Sequence, residues 1–348
     1  MNSLAIYLIC FKSGNIGSYR NYLLYFQIVC FLVDLHLTLL VAPTVFFPAL
    51  LGISHGIFSN WFSIKTHYQI NALFTLIVLE ICALLCSFIR KHQSVAAIGN
   101  KNILAPNQKY LIKVLLHLPP LLVAIFFGCS NLDKNQETAL ATRLFPRLLP
   151  LLSLPNAELY STSSVAVMLT LITMIFTFAV YCSLFLFVYF QILHMLHGHR
   201  QFMAARTYAK QIAAVVCLVA QLIVLIIWIA VPIGLLLAVV ILAVEGMESF
   251  CNLLICLFST HSIVTTFVMM FTFPAFRRIL FCQDKPLFSP GTTVVAARRT
   301  MKTHSIDDRT LIFSPSKDHQ ALFHLNPFLL RIKDRPRCSP SAIISTSS

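Results

Sequence analysis

The stretch VAVMLTLITMIFTFAVYCSLFLFVYFQIL, from Val165 to Leu193, runs for 29 residues without one Asp, Glu, Lys or Arg. A helix rises about 1.5 Å per residue, so about 20 apolar residues cross a hydrocarbon core about 30 Å thick. This segment is long enough to cross with tilt. Five more meet the same test, roughly Tyr22 to Leu51, Gln69 to Ile89, Tyr110 to Gly128, Ile212 to Val244 and Phe250 to Phe273. Pro43, Pro48 and Pro232 each remove a backbone donor and mark places for a kink. The pattern predicts an all-α polytopic membrane protein.

Composition agrees. The chain has 348 residues, 58% hydrophobic and only 11% charged, where a soluble domain carries about 25% charged residues. Its mean hydropathy is +0.81. Together these exclude an ordinary soluble enzyme and a disordered chain. A net charge of +14 suggests nucleic acid at first sight, but such a binder gathers Lys and Arg on one face of a soluble fold. Here they sit in gaps between apolar runs, so the expected partners are membrane lipids with anionic headgroups, and no nucleic acid.

Asn2 to Phe11 is apolar but would span only about half a bilayer. It lacks a preceding Lys or Arg and a small-residue cleavage site, so it does not look like a signal peptide. We read residues 1–12 as the inner half of a first span whose beginning is absent. With the amino terminus outside, 22 of the 26 Lys and Arg residues fall on the inner side, as positive-inside orientation requires. Residues 281–348 mix Lys and Arg with Ser, Thr and Pro, the composition of a flexible basic cytoplasmic tail. Cys282, next to Arg277 and Arg278, is placed for palmitoylation, although a plain juxtamembrane stop is the simpler reading.

Reactive groupings are scarce. No phosphate-binding Gly-rich loop and no HExxH zinc motif occurs, and no catalytic residue, cofactor or metal is expected. His194, His197 and His199 come closest to a metal set, yet they have no acidic neighbour and sit at a basic loop. Cys30, Cys82, Cys86, Cys182, Cys217 and Cys256 lie in apolar runs, where thiols act as small hydrophobes. Cys129 and Cys251 are the pair able to face an oxidising exterior, and whether they join is left open. Asp34, with His36 two residues on, and Glu80 are ionisable groups inside spans, so they should avoid lipid. An interhelical polar network is preferred, and an ion- or proton-coupled transporter or channel using Asp34 and Glu80 is the alternative. Asn71, Thr75, Thr170, Thr173, Trp228 and Asn252 lie near the outer helix ends. They suggest a largely apolar pocket with few polar fixtures, suited to a small hydrophobic or amphipathic ligand.

Several segments carry a resemblance. SLAIYLICFKS (Ser3 to Ser13) is followed, from Tyr19 to Ile57, by a YR-x-YLL-x-FQ start and a D-x-H-x-T segment with several prolines. The residues concerned are Tyr19, Arg20, Tyr22, Phe26, Gln27, Asp34, His36 and Thr38. FIRKHQSVAAI (Phe88 to Ile98), RTYAKQ before the next-to-last span and THSIVTTFVMMFTFPAFRR in the last continue the series. Together they resemble the nematode serpentine chemoreceptors of the Str superfamily, class I first and class H next, from Ser3 to about Leu280. The resemblance implies a seven-transmembrane-helix, G-protein-coupled receptor-like bundle over residues 1–280 with a truncated first helix. It also implies a place in the plasma membrane of sensory-neuron cilia, small chemical ligands and a heterotrimeric G protein as partner. Ile89 rather than an acid precedes Arg90, and no NPxxY occurs in the last span. Arg90, Lys91, Arg200, Arg206, Lys210, Arg277 and Arg278 would then form an inner face for the G protein or for headgroups.

Overall fold

A computed structural model of the chain describes residues 1–12, 19–99, 103–244, 246–273 and 276–277. In chain order the helices and strands are α1 (Asn2–Tyr7), continued by a π-helical turn Leu8–Lys12; α2 (Tyr19–Leu35), continued by His36–Val41; β1 (Pro43–Phe46); β2 (Leu51–Ser54); and α3 (Ile57–Asn60). Then come α4 (Thr66–Gly99), α5 (Pro106–Gly128), α6 (Lys134–Leu144), α7 (Leu149–Leu152), β3 (Ala157–Leu159) and α8 (Val165–Gly198). The last group is α9 (Ala205–Leu225), a π-helical turn Ile226–Ala230, α10 (Val231–Ile241), α11 (Glu248–Ser259) and α12 (His261–Thr272).

Six helical rods are long and apolar enough to cross a membrane, and Asn2–Phe11 forms a shorter apolar helix beside them. α1 packs on α2 and α12. α4 is the central rod, touching α2, α5, α8 and α9. At about 50 Å it outreaches a bilayer core, which is why its final turns carry Lys91, His92 and Gln93. Phe26, Phe88, Phe185, Leu23 and Ile9 fill the core without exposure, and the Phe88 and Phe185 rings meet edge to face at 5.1 Å.

Prolines account for two of the local irregularities. Pro232 lacks the N–H that the Trp228 carbonyl would accept, and the rod loosens into the π-helical turn just before it. Pro119 and Pro120 lie inside α5, and Pro120 leaves the Leu116 carbonyl without its helical donor. That oxygen accepts instead from Tyr181 Oη (2.6 Å) and Cys82 Sγ (3.1 Å).

One expected helix is much shorter than its apolar run. The run from Tyr22 to Leu51 stops being helical at Val41, where Ala42 takes a left-handed backbone. Pro43 to Ser54 instead fold back as an antiparallel β1–β2 hairpin, and β3 adds to its other edge in the order β1–β2–β3. Pro43 and Pro48 cannot supply helical donors. The sheet and α6 share a small apolar core of Ala49, Leu51, Ile53, Ala141, Ala157 and Leu159. They cap one end of the bundle. Gly56 is needed where this cap meets α2, because a Cβ there would stand 2.1 Å from the Leu40 carbonyl oxygen. The tail from 278 onward, with Arg278 and Cys282, lies outside the described residues.

Candidate functional site

Beneath the cap lies a cavity of about 430 Å³. α8 packs on α4 and α5, whereas α9 packs on α4 and α12, and the cavity fills the space between α8 and the α9–α10 rod. Leu73, Ile77 and Val78 of α4 form its wall, and Val45, Leu50 and Gly52 of the hairpin close it. Gly52 fits because a Cβ would press on Ile70 at 3.1 Å. Among the described residues no lining side chain is charged, and Tyr160, Thr170, Thr177 and Cys182 are its polar or polarisable points. Such a surface rewards apolar area, with hydroxyls to orient a bound molecule.

At the cavity's upper rim, Phe127, Tyr160 and Val167 form one apolar cluster, with the His67 ring stacked on Phe127 at 5.2 Å. Burial, then the nearby carboxylates Glu158 and Glu137, push the Tyr160 phenol well above its ordinary range. It therefore keeps its proton and donates to His67 Nδ1 at 3.3 Å. His67 Nε2–H is left to donate to the Gly128 carbonyl at 3.3 Å. The rim thus ties the start of α4, the end of α5 and the segment after β3.

Of the six residues expected to line a pocket, Thr170 does so, with its hydroxyl bonded to the Ala166 carbonyl at 2.8 Å. The other five do not line this cavity. Asn71 turns to α5 and donates to the Ala124 carbonyl, and Thr75 bonds back to the Asn71 carbonyl. Trp228 Nε1–H donates to Thr260 Oγ1 at 3.1 Å, Thr173 is half-buried and Asn252 is exposed. The aromatic rim was missed because Phe127 and Tyr160 read as ordinary apolar residues at helix and loop ends.

Glu80 sits in the core and Asp34 is half-buried, both away from the cavity lining. Glu80, fully buried, accepts from Cys30 Sγ at 3.2 Å and faces His261 Nε2 at 3.2 Å. His261 Nδ1 donates to the Phe258 carbonyl at 2.8 Å, so a further proton must lie between His261 and Glu80. Asp34 accepts from Asn2 Nδ2 at 3.1 Å. Asn2 also donates to Ser262 Oγ, while its own Oδ1 accepts from Gln27 and Thr266. His36 joins neither group and contacts the Gln69 carbonyl at 2.8 Å, beside the bonded set Ser54, Ser59 and Gln69. Two residues along a helix is about 200° of rotation, so Asp34 and His36 face different ways. His261 carried the same signal as Glu80, an ionisable side chain in an apolar span.

At the opposite end of the bundle Arg200, Lys210 and Arg277 are exposed, and Arg200 lies over the Tyr208 ring at 5.9 Å. Arg90 borders a second cavity there, and Arg206 belongs to α9. Lys91 does not belong to that surface. It is buried, bonded to Gln211 Oε1 and 5.7 Å from the Tyr19 ring centre, because its helix face is covered by α2 and α9. Cys129 and Cys251 are both free thiols, the first exposed and the second buried. His194, His197 and His199 form no metal-capable group among the described residues, whereas Cys82, Cys86 and His117 do.

The family model for the serpentine type 7TM GPCR chemoreceptor Sri matches residues 1–280. The chain belongs to this family. Membership agrees with the class I resemblance and with the six long apolar helices and the shorter one before them. The Sri family is a receptor family, and this member is a multi-pass membrane protein. No curated protein matches the chain.

Proposed function

We propose that this Sri-family chain is a G-protein-coupled chemosensory receptor whose ligand is a small apolar or amphipathic chemical held in the cavity under the cap. The observation that carries this is the cavity itself: about 430 Å³, uncharged, and furnished with a few hydroxyls. Its size lies within the range of small-molecule sites. The capped end faces outside and the tail is cytoplasmic, consistent with the bias of Lys and Arg toward the other side. The receptor works at the surface of a sensory neuron, in its cilia. Arg90, Arg200, Arg206, Lys210, Arg277 and Arg278 serve the G protein and the lipid headgroups. Signalling requires that ligand and G protein favour the same arrangement of helices, so each raises the affinity for the other.

Thr177 and Ile229 are buried residues of the lining, and Thr177→Phe and Ile229→Phe fill the cavity from opposite walls. In cells reporting G-protein activation against a panel of small apolar chemicals, each variant should shift the half-maximal concentration by about tenfold or more at unchanged surface expression, about 1.4 kcal/mol. Unchanged responses in both would place the ligand elsewhere. An ion path through Asp34 and Glu80 has less support, because neither carboxylate lines the cavity.

A further inference from the structure

Cys82 and Cys86 lie four residues apart in α4, on one helix face. That face meets α5 at His117. The two Sγ atoms and a His117 ring nitrogen all lie within 4.8 Å of one another. Three observations set this group apart from ordinary core thiols. His117 is exposed although it sits midway along an apolar span, a costly place for an imidazole without a task. Its ring is already oriented, with Nδ1 turned to Cys82 Sγ at 3.9 Å and Nε2 at 3.1 Å from Tyr25 Oη. Cys86 borders a cavity of about 200 Å³ that also includes Arg90, Lys109 and Lys113 and gives water a route from the basic end.

We propose that Cys82, Cys86 and His117 bind one zinc ion between α4 and α5. Two thiolates and an imidazole are soft to borderline donors, which favour zinc or copper(I) over magnesium or calcium. Charge selects between the first two. Two thiolates and a neutral imidazole around Zn²⁺ give a neutral complex, whereas Cu⁺ leaves a net negative charge at mid-span. Tetrahedral zinc with bonds of about 2.0–2.3 Å holds its ligands about 3.5–3.8 Å apart. Closing the group therefore takes about 1 Å of movement.

The chemistry balances. Two S–H bonds break as two Zn–S bonds form, and both protons leave through the adjoining cavity to buffer. The proton on His117 Nδ1, whose nitrogen is now 2.7 Å from the Lys113 carbonyl oxygen, is replaced by zinc. Nε2 gains a proton and donates it to Tyr25 Oη, the outer-shell contact that fixes a metal-bound imidazole. Water from the cavity fills the fourth position. Cys82 gives up its bond to the Leu116 carbonyl, which still accepts from Tyr181.

The test uses the full chain, purified under reducing conditions in lipid nanodiscs and titrated with Zn²⁺ against a competing chelator. One ion per chain is expected. His117→Ala, at an exposed position that should fold, should weaken binding about 100-fold, and Tyr25→Phe about tenfold. Cys82→Ser with Cys86→Ser should abolish it, while Cys182→Ser and Cys256→Ser leave it unchanged. Should the double variant fail to fold, Co²⁺ added to the unsubstituted chain must give a thiolate-to-cobalt charge-transfer band that Zn²⁺ bleaches. Binding unaffected by His117→Ala, no cobalt band, or uptake of Cu⁺ in preference to Zn²⁺ would each overturn the proposal.

Discussion

Glu80 is a fully buried carboxyl with two side-chain partners. Its oxygens face the Cys30 thiol and the His261 imidazole with no exposure, so it joins three helices through two contacts. Removing a buried acceptor leaves each of its donors unsatisfied, at about 1–3 kcal/mol per group. Glu80→Ala should therefore lower the melting temperature of the purified chain steeply, and Glu80→Gln, which keeps an acceptor for Cys30, much less. Equal losses would show that volume, not the polar contacts, matters at this position. Glu80 and Asp34 stand out in the sequence because a carboxylate inside an apolar run is expensive. Their pairings do not, since Asn2, Cys30 and His261 come from three separate segments and meet the carboxylates only through the tertiary fold. Lys91 fails for a related reason: a basic residue near a helix end looks like a surface charge until the neighbouring helices cover it.

Among elements, helices were legible in most of the long apolar runs, and α5 and α8 begin and end close to theirs. The hairpin was not. VFFPALLGI has the hydropathy of a helix, and only Pro43, Pro48 and Gly52 distinguish it. On β3 the Glu158 carboxyl is raised from an ordinary 4.5 to about 7 by burial and by Glu137 beside it. The folded cap therefore binds a proton more tightly than the unfolded chain. This contribution is fully present below about pH 4.5 and is lost as pH rises through 7. The melting temperature of the unsubstituted chain, relative to that of Glu158→Gln, should fall between pH 5 and pH 8. A constant difference would mean that Glu158 is ionised in the folded cap throughout that range. Glu137 is itself anchored by Lys134 at 2.7 Å and by the Leu159 amide at 3.3 Å.

For the whole molecule, the membrane class followed from composition alone and the receptor family from motifs spread over residues 1–280. The cavity was not readable, because its position depends on how α8 stands away from the α9–α10 rod, which no local pattern records. Stability at this scale owes nothing to disulfides among the described residues: Cys10, Cys30, Cys82, Cys86, Cys129, Cys182, Cys217, Cys251 and Cys256 are all free. Dithiothreitol should leave the melting temperature of the purified chain unchanged, and a fall of several degrees would reveal a bridge. The β2–β3 pairing joins the connection after α2 to the connection before α8 across the whole of α4 and α5. Loop closure on that scale gains nothing until the intervening helices bring its ends together. By this argument β3 joins the hairpin only after α4 and α5 have docked, and the sheet closes by strand pairing without any oxidant. A newly inserted chain whose α4 and α5 have not yet docked would show its cap amides as freely exchanging with solvent, which makes that sheet a reporter of finished biogenesis.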